Sequence, residues 1–135
     1  MHNRDLAEDY IFRAGNRLAA LEVLMQRQSY ADVVREAQEI VELCLKALLR
    51  RSGVEVPRIH DVSDVLKEES EKLPKELIPM VEQMAAISKK MRRDRELAFY
   101  GTEDLTPSEF YEASDARTAF EGARQVYSLC RNVFK

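Results

Sequence analysis

The chain has 135 residues, 45% hydrophobic and 33% charged, with four glycines, four prolines, no tryptophan and a formal net charge of −3 at pH 7. That length suits one domain around one continuous core, and the scarcity of glycine and proline argues against a disordered or all-β chain. The acidic balance excludes a non-specific nucleic-acid coat, and no apolar run approaches the roughly 18 residues that span a bilayer.

From Arg4 to about Gln28, Leu6, Tyr10, Ala14, Leu18, Leu21 and Met25 recur at helical spacing and predict a first amphipathic helix, slightly weakened by Gly15. Ser29 with Asp32 three residues on is a capping-box variant that opens a second helix, and Gly53 stops it. Ala37, Ile40, Val41, Cys44, Leu45, Leu48 and Leu49 give that helix an apolar stripe wider than one neighbour needs, so it is expected at the centre.

The connection VEVPRIHD ends at Asp61, which caps a short third helix with Asp64 at its N3 position, fading near Lys72. His60 beside Asp61 has the residue types of a metal or acid–base pair, but at a helix entry it reads more naturally as a cap with a polar neighbour. Pro74 and Pro79 mark the start of a helix running to about Tyr100, with Gly101 as its terminator. After the loop TEDLTP, the string SDARTAFEGARQVYSLCRNVF predicts a last helix, capped by Ser114 or Asp115 and buried through Ala116, Ala119, Phe120, Ala123, Val126, Tyr127, Cys130 and Val133.

No repeat or convincing strand interrupts this pattern. The expected fold is all-α: a single domain over residues 1–135, an antiparallel up-and-down four-helix bundle with an additional short helix. Cys44 and Cys130 each fall in a helical apolar pattern and read as reduced core residues, and two separated histidines exclude a structural zinc. The charged opening MHNRDLAEDY lacks the oily core of a signal peptide, so the expected location is cytoplasmic. Common catalytic, phosphate-loop and dinucleotide motifs are missing, and no cofactor or metal is expected.

Lys89 to Arg95 concentrates five cations and one acid, leaving sixteen basic residues against twenty-three acids elsewhere, a net of −7. Anion recognition is therefore expected to be local to this segment. On a helix of about 100° per residue, Val81, Met84, Ile87, Met91 and Ala98 fall on one side. Lys89, Arg92, Arg93, Glu96 and Tyr100 fall on roughly the other. Arg95 falls within the apolar side, where a guanidinium requires a carboxylate, carbonyls, a subunit boundary or an anionic ligand. Glu39, Glu42 and Glu121 are candidate acids. The competing reading is phosphate held by Lys89, Arg92, Arg93 and Arg95 through charge-assisted hydrogen bonds, with Tyr100 stacking or donating.

The EIVELCLKALLRRSG run, the following PRIHDV, the string from Arg95 to Gly101, and the closing Tyr111, Asp115, Ala116, Ala119, Ala123 and Val126 together resemble HEPN (higher eukaryotes and prokaryotes nucleotide-binding) domains of the stand-alone prokaryotic type. The resemblance implies an all-α homodimer that acts with a small nucleotidyltransferase in a toxin–antitoxin-like pair. It also implies a nucleotide- or RNA-phosphate site at the basic segment, with Tyr100 as a residue for nucleotide transfer by the partner.

Many such domains are metal-independent ribonucleases with an R-x4-6-H motif, and this chain departs from it. Starting at Arg93 puts Ala98 at the histidine position and Tyr100 at a following tyrosine; starting at Arg95 puts Tyr100 at the histidine position. Either alignment removes the imidazole best suited to proton transfer near neutral pH. Binding without catalysis is the first expectation. A divergent ribonuclease using Arg93 or Arg95 with Tyr100, and a helical adaptor with no small ligand, are the alternatives.

Overall fold

The helical periodicities resolve, in the computed structural model, into α1 (Asn3–Gln26), α2 (Tyr30–Arg51), α3 (Val62–Glu68), α4 (Val81–Tyr100), α5 (Pro107–Phe110) and α6 (Ala113–Val133). The structure describes residues 3–56, 61–100 and 106–134, and side chains for 6–56, 61–93 and 106–134. The expected positions of His60 and of Gly101 as a terminator lie outside the described residues. Four long helices alternate in direction as an all-α bundle, with α3 and two 3₁₀ turns (Ser70–Lys72 and Lys75–Met80) inserted between α2 and α4. Pro79 sits inside the second of these turns, just before α4, where its missing N–H costs the α4 ladder no hydrogen bond.

Local chemistry explains most boundaries. After α2 the N–H groups of Gly53 and Val54 donate to the carbonyls of Arg50 and Leu49 at 3.1 and 2.9 Å, the paired bonds of a Schellman ending. Gly53 has φ +83°, a left-handed position that glycine adopts without a Cβ clash, and Val54 folds back into the core. At α2's other end the expected reciprocal box does not form: the Ser29 N–H donates to the Leu24 carbonyl at 3.0 Å instead of to Asp32. Ser29 occupies the N-cap but spends its hydroxyl on Asp32, donating at 2.6 Å, and makes no side-chain bond to the helix N–H groups.

At α6 the boundary differs from the expected Ser114 or Asp115 cap: Glu112 holds the N-cap and its N–H donates to Asp115 at 2.8 Å. Asp115 thus serves from the first turn. The segment read as a loop contains α5, where Thr106 accepts the Glu109 N–H and Pro107 takes the first turn.

α2 is the hub. Its whole expected stripe is buried, and Val33, Val34 and Ala47 join it, so the helix packs against α1, α6 and α4 at once. Small residues, Ala37 and Cys44 on α2 with Ala116, Ala119, Ala123 and Cys130 on α6, let α2 and α6 approach closely across the bundle. These two run in the same sense, and Arg51 at the end of α2 stands 5.7 Å over the Phe134 ring just beyond α6. Drawing α6 onto α2 leaves α4 and α6 with little direct contact and opens a groove between them. No helix among the described residues is long and apolar enough to cross a membrane.

Candidate phosphate-binding face

α4 carries its basic segment past three different surroundings. Its inward stripe is fixed by Val81, Met84, Ser88 and Met91, all buried. Arg95 follows Ser88 by seven residues and Met91 by four in the same helix, so helical periodicity places it in that stripe. The side chains of Arg95, Phe99 and Tyr100 lie outside the described residues.

Lys89 faces α3. Its ammonium donates to Asp64 at 3.0 Å and stands 3.9 Å from Asp61, which already caps α3 by accepting the Ser63 N–H at 2.9 Å and the Ser63 hydroxyl at 2.7 Å. Partial burial pushes the Asp61 carboxyl up, but the two Ser63 hydrogen bonds, followed by Arg92 and Lys89, outweigh it and hold the carboxyl below its ordinary value. The hydrogen bond and charge of Asp64, then the charge of Asp61, raise Lys89 above the usual lysine range.

Arg92 is not on the solvated side assigned to it by the wheel. It borders the buried stripe and donates from Nη1 to Glu42 of α2 at 3.0 Å, the two side chains being 40% and 20% exposed. Glu42 also receives Lys46 at 3.5 Å, and Glu121 is taken by Arg124 at 2.6 Å. Two of the three acids considered for Arg95 thus carry other partners.

Arg93 and Lys90 are exposed, and among the described residues neither has an ion-pair partner. Lys90 stands at the rim of the α4–α6 groove, a pocket of about 130 Å³ with Val34, Ile87, Met91, Tyr111 and Ala119 in its walls and Asp115 and Thr118 also at its lining. Gly122 lets the two helices meet at the groove's edge: a Cβ there would fall 2.9 Å from Met91 Cε and 3.3 Å from Ile87 Cγ2. Lys90 is one of the five cations of the segment but not one of the expected site residues; its place between the stripe and Arg93 on the wheel is the signal in the sequence for it. The groove itself had none, because it follows from the closeness of α2 and α6.

The face therefore combines two anchored cations, Lys89 and Arg92, with two open ones, Lys90 and Arg93, beside a small apolar recess. Such a set can bind an anion from the open cations while the anchored ones fix the helix. A family model for the HEPN domain matches residues 7–133. No curated protein and no solved structure matches the chain.

Proposed function

The chain belongs to the HEPN domain family, and on that premise we propose that it binds the phosphates of a nucleotide or RNA along α4, through Lys89, Arg92, Arg93 and Arg95 with Tyr100. The observation that carries this reading is Arg93, exposed and without a carboxylate partner among the described residues, next to two cations already held in place. An arginine in that position offers a planar fork suited to phosphate oxygens. The Lys89–Asp64 pair is half-exposed on both sides, so its attraction is small and a phosphate competes for the ammonium. The homodimer, the nucleotidyltransferase partner, the toxin–antitoxin-like pairing and modification of Tyr100 belong to the same proposal and rest on family membership.

Binding is favoured over cleavage because Ala98 or Tyr100 stands where related ribonucleases carry histidine. Alanine moves no proton, and a tyrosine of ordinary pKa about 10 is a poor base at neutral pH. The divergent-ribonuclease reading keeps Arg93 or Arg95 as stabiliser of the phosphorane-like charge and Tyr100 as the proton carrier. RNA cleavage in EDTA that disappears in Tyr100→Phe selects that reading.

Fluorescence anisotropy with a short single-stranded RNA, at several salt concentrations, tests the binding site. Arg93→Ala is expected to weaken binding several-fold and to lower the salt slope by about 0.7, the value for one lost phosphate contact. Unchanged affinity and slope remove Arg93 from the site.

A further inference from the structure

We propose a second, separate anion site in the notch between α1 and the end of α2, shaped for a phosphate-sized oxyanion. The notch has a volume of about 220 Å³ and is lined by Tyr10, Lys46, Arg50, Val54 and Val56. Its polar side chains all offer hydrogen-bond donors: a phenol, an ammonium and a guanidinium. Among the described residues no carboxylate lines it.

Arg50 is the cation of the notch with a donor left open. Its Nε is buried and has no hydrogen-bond partner among the described residues, an arrangement that costs stability unless an acceptor is supplied. Among the described residues its one ion pair is a loose one, Nη1 standing 3.8 Å from Glu55, and Glu55 is 79% exposed. The end of α2 does not claim the guanidinium either, since the carbonyls of Leu48, Leu49 and Arg50 already accept from the N–H groups of Ser52, Gly53 and Val54.

Lys46 lies four residues before Arg50, so the two cations share one face of α2 about one turn apart. Like charges at that spacing repel, and an anion between them reverses the sign of the interaction. The only described acid near Lys46 is Glu42 at 3.5 Å, whose charge is shared with Arg92 at 3.0 Å. That leaves Lys46 incompletely neutralised. Tyr10 closes the notch from α1, and Val54 and Val56 provide an apolar rim for the organic part of a phosphomonoester.

The chemistry is that of a phosphate dianion, free or as the terminal group of a small phosphomonoester. Calorimetric titration at low ionic strength, with inorganic phosphate in one arm and ribose 5-phosphate in the other, separates these sources; sodium chloride at matched ionic strength is the control. Saturable phosphate or phosphomonoester binding is expected, weakened about tenfold in Arg50→Met, several-fold in Lys46→Met and unchanged in Lys75→Met, which lies elsewhere. If Arg50→Met does not fold, as judged by circular dichroism, Lys46→Met carries the comparison. Absence of saturation in both arms, an equal response to chloride, or unchanged binding in a folded variant of the pair overturns the site. None of these outcomes touches Arg93, so the α4 reading stands or falls by its own RNA titration.

Discussion

Arg92 of α4 donates to Glu42 of α2 at 3.0 Å, and this contact joins the basic segment to the hub of the bundle. The pair is partly exposed and Glu42 keeps a second partner in Lys46. A double-mutant cycle with Arg92→Met and Glu42→Gln is expected to return a coupling of about 0.5–1 kcal/mol by urea denaturation, shrinking in 1 M salt. A coupling of zero shows that the guanidinium is not committed to α2 and is as available to phosphate as Arg93.

Gly15 lies in the interior of α1, where alanine would ordinarily add about 1 kcal/mol of helix stability. Here a Cβ would stand 2.6 Å from the Tyr127 hydroxyl oxygen and 3.2 Å from the ring carbon bearing it. The ring is rigid, so relief requires α1 and α6 to separate or Tyr127 to leave its rotamer. Gly15→Ala is therefore expected to destabilise the protein by about 1–3 kcal/mol. Tyr127→Phe removes the closest atom and should recover at least half of that loss. Thermal melts of the three variants check this, and a higher midpoint for Gly15→Ala alone contradicts the close contact.

Much of this architecture was legible because it follows from local rules. The α2 stripe, the Gly53 stop and the Asp61 cap each depend on residues within a few positions of one another. Gly15 shows where such reading ends: its helix penalty was visible, but its reason is a tyrosine more than a hundred positions away. α5 was missed although Thr106, Pro107 and Glu109 form a helix-entry signal, because four residues give periodicity nothing to repeat. For the site, the five-cation cluster was plain, while its division was not. Which cations are anchored depends on Glu42 and Asp64, supplied by other helices. Arg92 was misplaced because the wheel treats a helix as having two sides, whereas α4 also has a border that touches α2.

Asp61 gives the α3–α4 junction a defined pH response. Its carboxyl is held below the ordinary value, so its stabilisation is complete above the unfolded pKa of about 3.9 and is lost as pH falls through the folded value. Lys89 is shifted upward, so its contribution holds below the unfolded lysine pKa of about 10.4 and is lost as pH rises through the folded one. Asp61→Ala is expected to cost about 1 kcal/mol at pH 7, with the deficit narrowing below pH 4. Asp61→Asn keeps the cap acceptor and should retain most of the stability at neutral pH. Urea midpoints from pH 3 to 7 distinguish a cap from a bare charge, and a deficit that does not change with pH rules out the ionised carboxylate as its source.

Cys44 and Cys130 make the opposite end of the pH range equally specific. Both are fully buried; burial pushes Cys130 up to about 12 and raises Cys44 well above its ordinary value, with the Cys130 charge adding to the latter. Unfolded thiols ionise near pH 8.5, so above that pH the unfolded chain binds fewer protons than the folded one and stability falls as pH rises. Each fully titrating thiol contributes a slope of about 1.4 kcal/mol per pH unit. Cys44→Ala/Cys130→Ala should lower stability at pH 7 through lost packing yet flatten the decline between pH 8 and 10, a range in which Lys89 stays charged. A thiol reagent at pH 8 should leave the native protein unlabelled and modify both residues once urea has unfolded it. Native labelling as fast as unfolded labelling, or an equal alkaline slope in the double variant, excludes the buried thiols as the cause.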